Sequence, residues 1–201
     1  MKDSKEHILA TAFKLFIAKT FKEVTMNEIV QATGLSKGAF YYYFKSKEQL
    51  FLEVIQDYLL ANLIVDYDQF NQLSLHGFYT DCLNFIGKRS SSEITQAIAD
   101  NDGTSSNLYT LLFEAIKFFP ELKPKFAEYD AYKLKAWLKI IEQAKQTGEI
   151  QTNMSDESIA KMFLSSVEST GIRIALGLGD PNHKKERLSL LWDSFYHQLK
   201  P

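Results

Sequence analysis

The sequence is poor in the residues that punctuate or staple a chain: 201 residues contain one cysteine, four prolines and nine glycines. The lone Cys82 excludes a disulfide within the chain and a cysteine-built zinc site, and reads as a buried, inert thiol. So few breakers, with long 3.6-residue apolar periodicity and no sustained period-two alternation, argue against a sheet protein and predict an all-α fold of about nine helices. No apolar run approaches the roughly 18 residues of a membrane span, and Lys14 interrupts the N-terminal stretch that would otherwise resemble a signal peptide. The expected location is therefore the cytoplasm, with no membrane partner. His7, His76, His183 and His197 are scattered without metal-ligand spacing, and neither a glycine-rich phosphate loop nor a nucleophile elbow is present, so no metal, cofactor or catalytic residue is expected.

What is abundant is core material. Hydrophobic residues make up 45% and aromatics 13% of the chain, which leaves no case for disorder. The net charge of −2 is unevenly spread: residues 1–47 hold eight lysines against Asp3, Glu6, Glu23 and Glu28, a net +4, leaving −6 on the remainder. A basic N-terminal end and an acidic body suit a protein that presents one end to phosphates.

That basic end carries the densest signals. Thr25 and Glu28 have capping-box spacing and open a helix at Met26, with Ile29, Val30 and Thr33 on its buried side. Gly34 stops it, because a glycine takes the left-handed turn conformation at no steric cost, and Leu35 plugs the space between two helices. Ser36 caps a short helix in which Phe40 and Phe44 face the core, while Lys37, Ala39, Tyr41, Tyr42 and Tyr43 spread over the remaining surface. Ser46 and Gln49 form another box, opening a helix with apolar Leu50, Phe51, Val54 and Ile55. A helix-turn-helix of this pattern points to double-stranded DNA. The alternative reading of the aromatic run, a β-prone strand, does not explain the capping residues on both sides of it.

The stretch from Gly34 to Leu50, preceded by Ile8-Leu9-Ala10-Thr11-Ala12-Phe13-Lys14-Leu15-Phe16, resembles the TetR family of bacterial transcriptional regulators over about residues 5–58. The resemblance implies a three-helix head at 1–46 and a ligand-binding and dimerisation domain at 47–201, joined by a connecting helix at 47–64. It also implies a homodimer that binds an operator and releases it when a small-molecule inducer binds. Thr25, Tyr42, Tyr43 and Lys47 would hold phosphates, and Lys37, Ala39 and Tyr41 would meet base edges, with Ser36 and Gly38 completing the contact face. Arg89, Arg173 and Arg187 all lie beyond the head, so bidentate arginine reading of guanine is not open to it. Departures from the family pattern include Thr20 where a glycine commonly ends the first helix, Val30 for a smaller alanine, Ala39 for a hydroxyl residue and Tyr43 for histidine. A helical interaction protein whose head lacks specific DNA binding is the alternative these departures leave open.

Beyond the head, helices are expected at about 75–88, 108–119, up to 147, 155–177 and 184–199, with breaks at Arg89-Ser90-Ser91-Ser92 and from Asn101 to Ser106. The aromatics Phe78, Phe85, Tyr109, Phe113 and Trp137, with Glu114 and Glu168, are the candidate ligand residues, and their character favours an apolar or aromatic inducer over a sugar. The stripe Phe163, Ser166, Thr170 and Ile174, paired with Leu188, Leu191, Trp192 and Phe195 of the last helix, is the candidate dimer interface, since a two-fold DNA reader needs two subunits.

Overall fold

The computed structural model describes residues 2–60, 65–90 and 106–201. Every regular element among them is helical: α1 (Lys2–Ala18), α2 (Met26–Thr33), α3 (Lys37–Tyr43), α4 (Lys47–Val54), α5 (Leu75–Ser90), α6 (Ser106–Phe118), α7 (Lys123–Gln146), α8 (Asp156–Ala175) and α9 (Lys184–Leu199). Helix α4 continues as a π-helical stretch over Ile55–Leu60, and single 3-10 turns stand at Tyr67–Gln69, Pro120–Leu122 and Pro181–His183. No helix among the described residues is long and apolar enough to cross a membrane. Arg89 and Ser90 extend α5 rather than breaking it, while Ser91 and Ser92 and the break expected from residue 101 to 105 lie outside the described residues.

Contacts divide the chain into two compact units, Met1–Val65 with Ala97–Lys123, and Asp66–Gln96 with Pro124–Pro201. This differs from the expected division after residue 46, because the first unit keeps α4 and takes in α6. The first unit is built around a core of Ile8, Ala12, Phe16, Ile29, Phe40, Phe44, Leu50, Phe51 and Val54, all essentially buried. Its helices start and stop where the local chemistry demands. Thr25 Oγ1 accepts the Glu28 N–H at 3.2 Å, Ser36 Oγ the Ala39 N–H at 3.3 Å, and Ser46 Oγ the Gln49 N–H at 3.1 Å. Gly34 closes α2 at φ 67°, a conformation costly for any residue with a Cβ.

In the second unit, α5, α7, α8 and α9 enclose Tyr79, Trp137, Phe163 and Trp192. Trp137 stacks on Phe163 with centroids 4.7 Å apart, and Trp192 meets Phe163 edge-on at 5.3 Å. Trp192 Nε1 donates to Ser166 Oγ at 2.7 Å, and Tyr79 OH to Asp193 Oδ1 at 2.8 Å, so the polar tips of these buried rings are satisfied. Gly148 ends α7 at φ 74°, and the next residue turns back: the Glu149 carboxylate accepts the N–H groups of Leu75 and His76, at 2.8 and 2.9 Å, and the Tyr196 hydroxyl at 2.9 Å. A negative group on the first N–H groups of α5 is favoured by the helix dipole as well as by the bonds themselves.

Much of the candidate dimer stripe is already packed within the single chain. Phe163, Leu188, Trp192 and Thr170 are 0, 0, 2 and 4% exposed within the single chain, and Ser166 is engaged by Trp192. Ile174 and Phe195 are half-buried, and of the expected set only Leu191 stands well out, at 50%. The stripe's most apolar members form the seam between α8 and α9. The apolar side chains that do face outward on these two helices are Met162, Ile172, Leu176, Leu190 and Leu191.

Candidate nucleic-acid interface

The two helices of the motif meet through Gly34 and Leu35, and α3 is fixed from one side only. Phe40 is fully buried in the middle of α3, and Phe44, just past its end, is fully buried too. Because residues four apart share a helix face, anchoring these two turns the rest of α3 outward. Ser36, Lys37, Gly38 and Ala39 are exposed, Tyr42 is 65% exposed, and Tyr41 and Tyr43 are half-buried. A Cβ added at Gly38 would meet nothing within 4 Å, so the start of α3 stands clear of its own protein. No hydrogen bond or ion pair among the described residues engages the Lys37 ammonium. Tyr42 and Tyr43 meet edge to face at 5.1 Å, which restrains both rings, and Lys45 Nζ donates to the Tyr41 carbonyl over the end of α3. Thr25, the remaining expected contact residue, is exposed at the start of α2 with its hydroxyl oxygen used as a cap.

Lys47 is placed otherwise than the sequence suggests. It is half-buried, and its Nζ donates to the carbonyls of Phe21 at 2.7 Å and Val24 at 2.9 Å while lying 4.5 Å from the centre of the Phe21 ring. Its charge is thus held by the turn between α1 and α2. The same turn explains Thr20. Instead of a glycine, the chain uses Thr20, whose N–H and hydroxyl both donate to Glu23 Oε2 at 2.8 Å. The two Thr20 donors hold the Glu23 carboxyl below the ordinary carboxylate range. The signal was present as a second T-x-x-E spacing, Thr20 to Glu23, five residues before the one at Thr25.

A further residue escaped the sequence reading. Phe21, only 8% exposed, packs against Phe51 at 4.6 Å, Phe118 at 5.6 Å and Phe119 at 5.7 Å. Its N–H donates to Glu114 Oε2 at 2.8 Å. Glu114, expected at a ligand, is here the acceptor that ties α6 to the α1–α2 turn inside the first unit. On the same helix Phe113 is 64% exposed and Tyr109 half-buried. The other expected ligand residues belong to the second unit. Phe78 and Trp137 meet at 5.1 Å as buried core neighbours, Phe85 is half-buried 5.9 Å from Phe70, and exposed Glu168 accepts a bond from Lys133 at 3.3 Å.

Comparison with known proteins places this geometry. Residues 8–54 match the family described as bacterial regulatory proteins, tetR family. The chain is 46% identical over 59 residues to the HTH-type transcriptional regulator YerO of Bacillus subtilis, a match covering 29% of this chain and 20% of that protein. It is 47% identical over 51 residues to the HTH-type transcriptional regulator QacR of Staphylococcus aureus, covering 25% of this chain and 27% of QacR. The chain thus spans less than a third of the length of these curated relatives. Over nearly its whole length it is similar in fold to NalD, the secondary repressor of the MexAB-OprM multidrug efflux pump in Pseudomonas aeruginosa, with a TM-score of 0.61, 17% identity, and 96% of this chain and 95% of that one covered.

The placement of Lys47 has a measurable consequence. Lys47→Met keeps the apolar stem but removes two charge-assisted bonds from partly buried carbonyls, a loss of about 2 kcal/mol. Urea unfolding should report that loss, and amide exchange at residues 20–24 should accelerate. The slope of log DNA affinity against log salt should stay as it is, whereas loss of one phosphate contact per subunit would flatten it by about 1.8 for a dimer.

Proposed function

We propose, for a chain whose head belongs to the tetR family of bacterial regulatory proteins, that the protein is a homodimeric DNA-binding transcriptional regulator, and specifically a repressor that leaves its operator when a small apolar or aromatic molecule binds the larger domain. The observation that carries this reading is the outward face of α3. Ser36, Lys37, Gly38 and Ala39 with Tyr42 form an exposed surface, on a segment with a net charge of +4. A short helix anchored from behind by Phe40 and Phe44 enters the major groove, with Lys37 and Ala39 in its first turn at base edges and Tyr41, Tyr42, Tyr43 and Thr25 at the flanking backbone. In the absence of arginine, discrimination rests on the Lys37 ammonium at a guanine edge, the Ala39 methyl at a thymine methyl, and the tyrosines.

Two such helices read two half-sites about one helical turn apart, which requires a two-fold assembly. Met162 and Ile172 stand exposed on α8, Leu176 just past its end and Leu191 on α9; these exposed residues, rather than the buried Trp192 and Phe163, are the subunit contact. Release follows from linkage: an inducer that binds the free form better than the DNA-bound form weakens DNA binding by the same factor that DNA weakens inducer binding. The aromatic content around Phe78, Phe85 and Trp137 supports an apolar inducer. The Phe21–Glu114 bond gives α6 a direct hold on the turn that sets the angle of α2 and α3. The repressor role is supported by the likeness to NalD, which is named as a repressor.

Reading is tested at Lys37. On the duplex that the protein enriches from a random-sequence pool, Lys37→Ala should cost roughly 1–3 kcal/mol and relax the preference at one or two base pairs in each half-site. An unchanged preference would show that α3 does not read bases. Assembly is tested separately, by light scattering: the wild type should be a dimer, and Leu176→Asp combined with Leu191→Asp should give a folded monomer, because each charge would be desolvated without a partner in the contact. Trp192→Asp should instead lose the fold, since that side chain is inside the subunit.

A further inference from the structure

Within the second unit, a groove of about 360 Å³ lies between the C-terminal half of α8 and the N-terminal half of α9. Its apolar wall is formed by Ile174 and Leu190, with Thr170 behind them, and Leu190 is 71% exposed. Gly179 lines it as well, and a Cβ there would stand 3.3 Å from Ile174 Cγ1, so a side chain at that position would intrude on the space. The groove is also where the chain spends its arginine. Of three arginines in a sequence with 23 basic residues, Arg173 from α8 and Arg187 from α9 both line it. Neither is neutralised: Arg173 makes one long bond, 3.5 Å to the Leu178 carbonyl, and no hydrogen bond or ion pair among the described residues engages Arg187.

The charge count selects the ligand. Lys184 also lines the groove but is engaged within the chain, so the positive charge open to a ligand is that of Arg173 and Arg187, with Glu186 the one lining carboxylate that no hydrogen bond or ion pair among the described residues engages. Asp180 does not answer the arginines, because its oxygens accept the Asn182 N–H and the His183 ring nitrogen, both at 2.8 Å. Guanidinium groups present paired donors that match a planar carboxylate, which a lysine would not do. We propose that this groove binds a small organic acid, a monocarboxylate whose apolar body lies on Ile174 and Leu190 and whose carboxylate is held by Arg173 and Arg187. The volume sits near the lower end of the range for ligand sites, which suits a short acid rather than a nucleotide or a sugar phosphate. Ile174 lies on the opposite side of α8 from Ile172, while Arg173 stands at the border of the face assigned to the partner subunit. The site does not depend on the DNA-binding reading.

Octanoate is the probe, with 1-octanol as its uncharged counterpart of equal chain length, and calorimetric titration of the full-length protein the measurement. Octanoate should bind with one site per chain and more tightly than octanol. Arg173→Gln and Arg187→Gln should each weaken octanoate by about tenfold, the loss of one charge-assisted contact, while octanol binding stays the same. The two single variants guard against a double variant that fails to fold. The proposal is overturned if wild-type protein does not bind octanoate, if both arginine variants bind it as the wild type does, or if the substitutions instead change the oligomeric state, which would make the groove a subunit contact.

Discussion

Phe21 occupies the point where three separated stretches of the chain meet. Its ring is packed by Phe51 of α4 and by Phe118 and Phe119 at the end of α6, its carbonyl accepts from Lys47, and its N–H is taken by Glu114. Burying such a ring contributes about 2 kcal/mol by area, with further gain from each well-oriented aromatic neighbour. The position of the α1–α2 turn, from which α2 and α3 follow, depends on this set of contacts. A change at α6 that withdrew Glu114 would leave a backbone N–H without its partner and loosen the turn. The head is thereby sensitive to a helix far along the sequence without any long conduit between them.

The lysines of the head divide between two tasks. Lys5 pairs with Glu53, Lys19 with Glu28, and Lys47 with two carbonyls, so part of the positive charge counted in the sequence goes into holding the head together. Lys37 is left outward. The ion pairs are partly exposed, and each contributes little on its own to stability. Under the proposed DNA-binding role their effect is larger: an ammonium engaged within the head is one that would not release a counterion on DNA, so the salt dependence would be set by fewer groups than the composition suggests.

Much of the fold was legible in the sequence because its signals are local. The serine and threonine caps, Gly34, Gly148 and the 3.6-residue stripes located the helix ends of α2, α3, α8 and α9 to within about two residues. What was not legible concerns partners distant in sequence. Nothing local to Lys47 reveals that two carbonyls lie within its reach, nor that Glu114, 93 positions further along, faces Phe21. The Trp192 stripe shows the same limit: periodicity identifies a buried face but not what buries it, and a seam inside one chain reads the same as an interface between two. The anchoring of α3 was legible because both of its anchors, Phe40 within it and Phe44 just past its end, lie in one short stretch.

The measurement that bears most directly on the account is the backbone amide spectrum of the full-length protein titrated with its enriched duplex at moderate salt. The account predicts that the largest shifts fall at Thr25 and at residues 36–43, with smaller ones at the Thr20–Val24 turn, and that scrambled duplex gives weak shifts lost on adding salt. Shifts concentrated on α8 and α9, or identical responses to enriched and scrambled duplex, would contradict it.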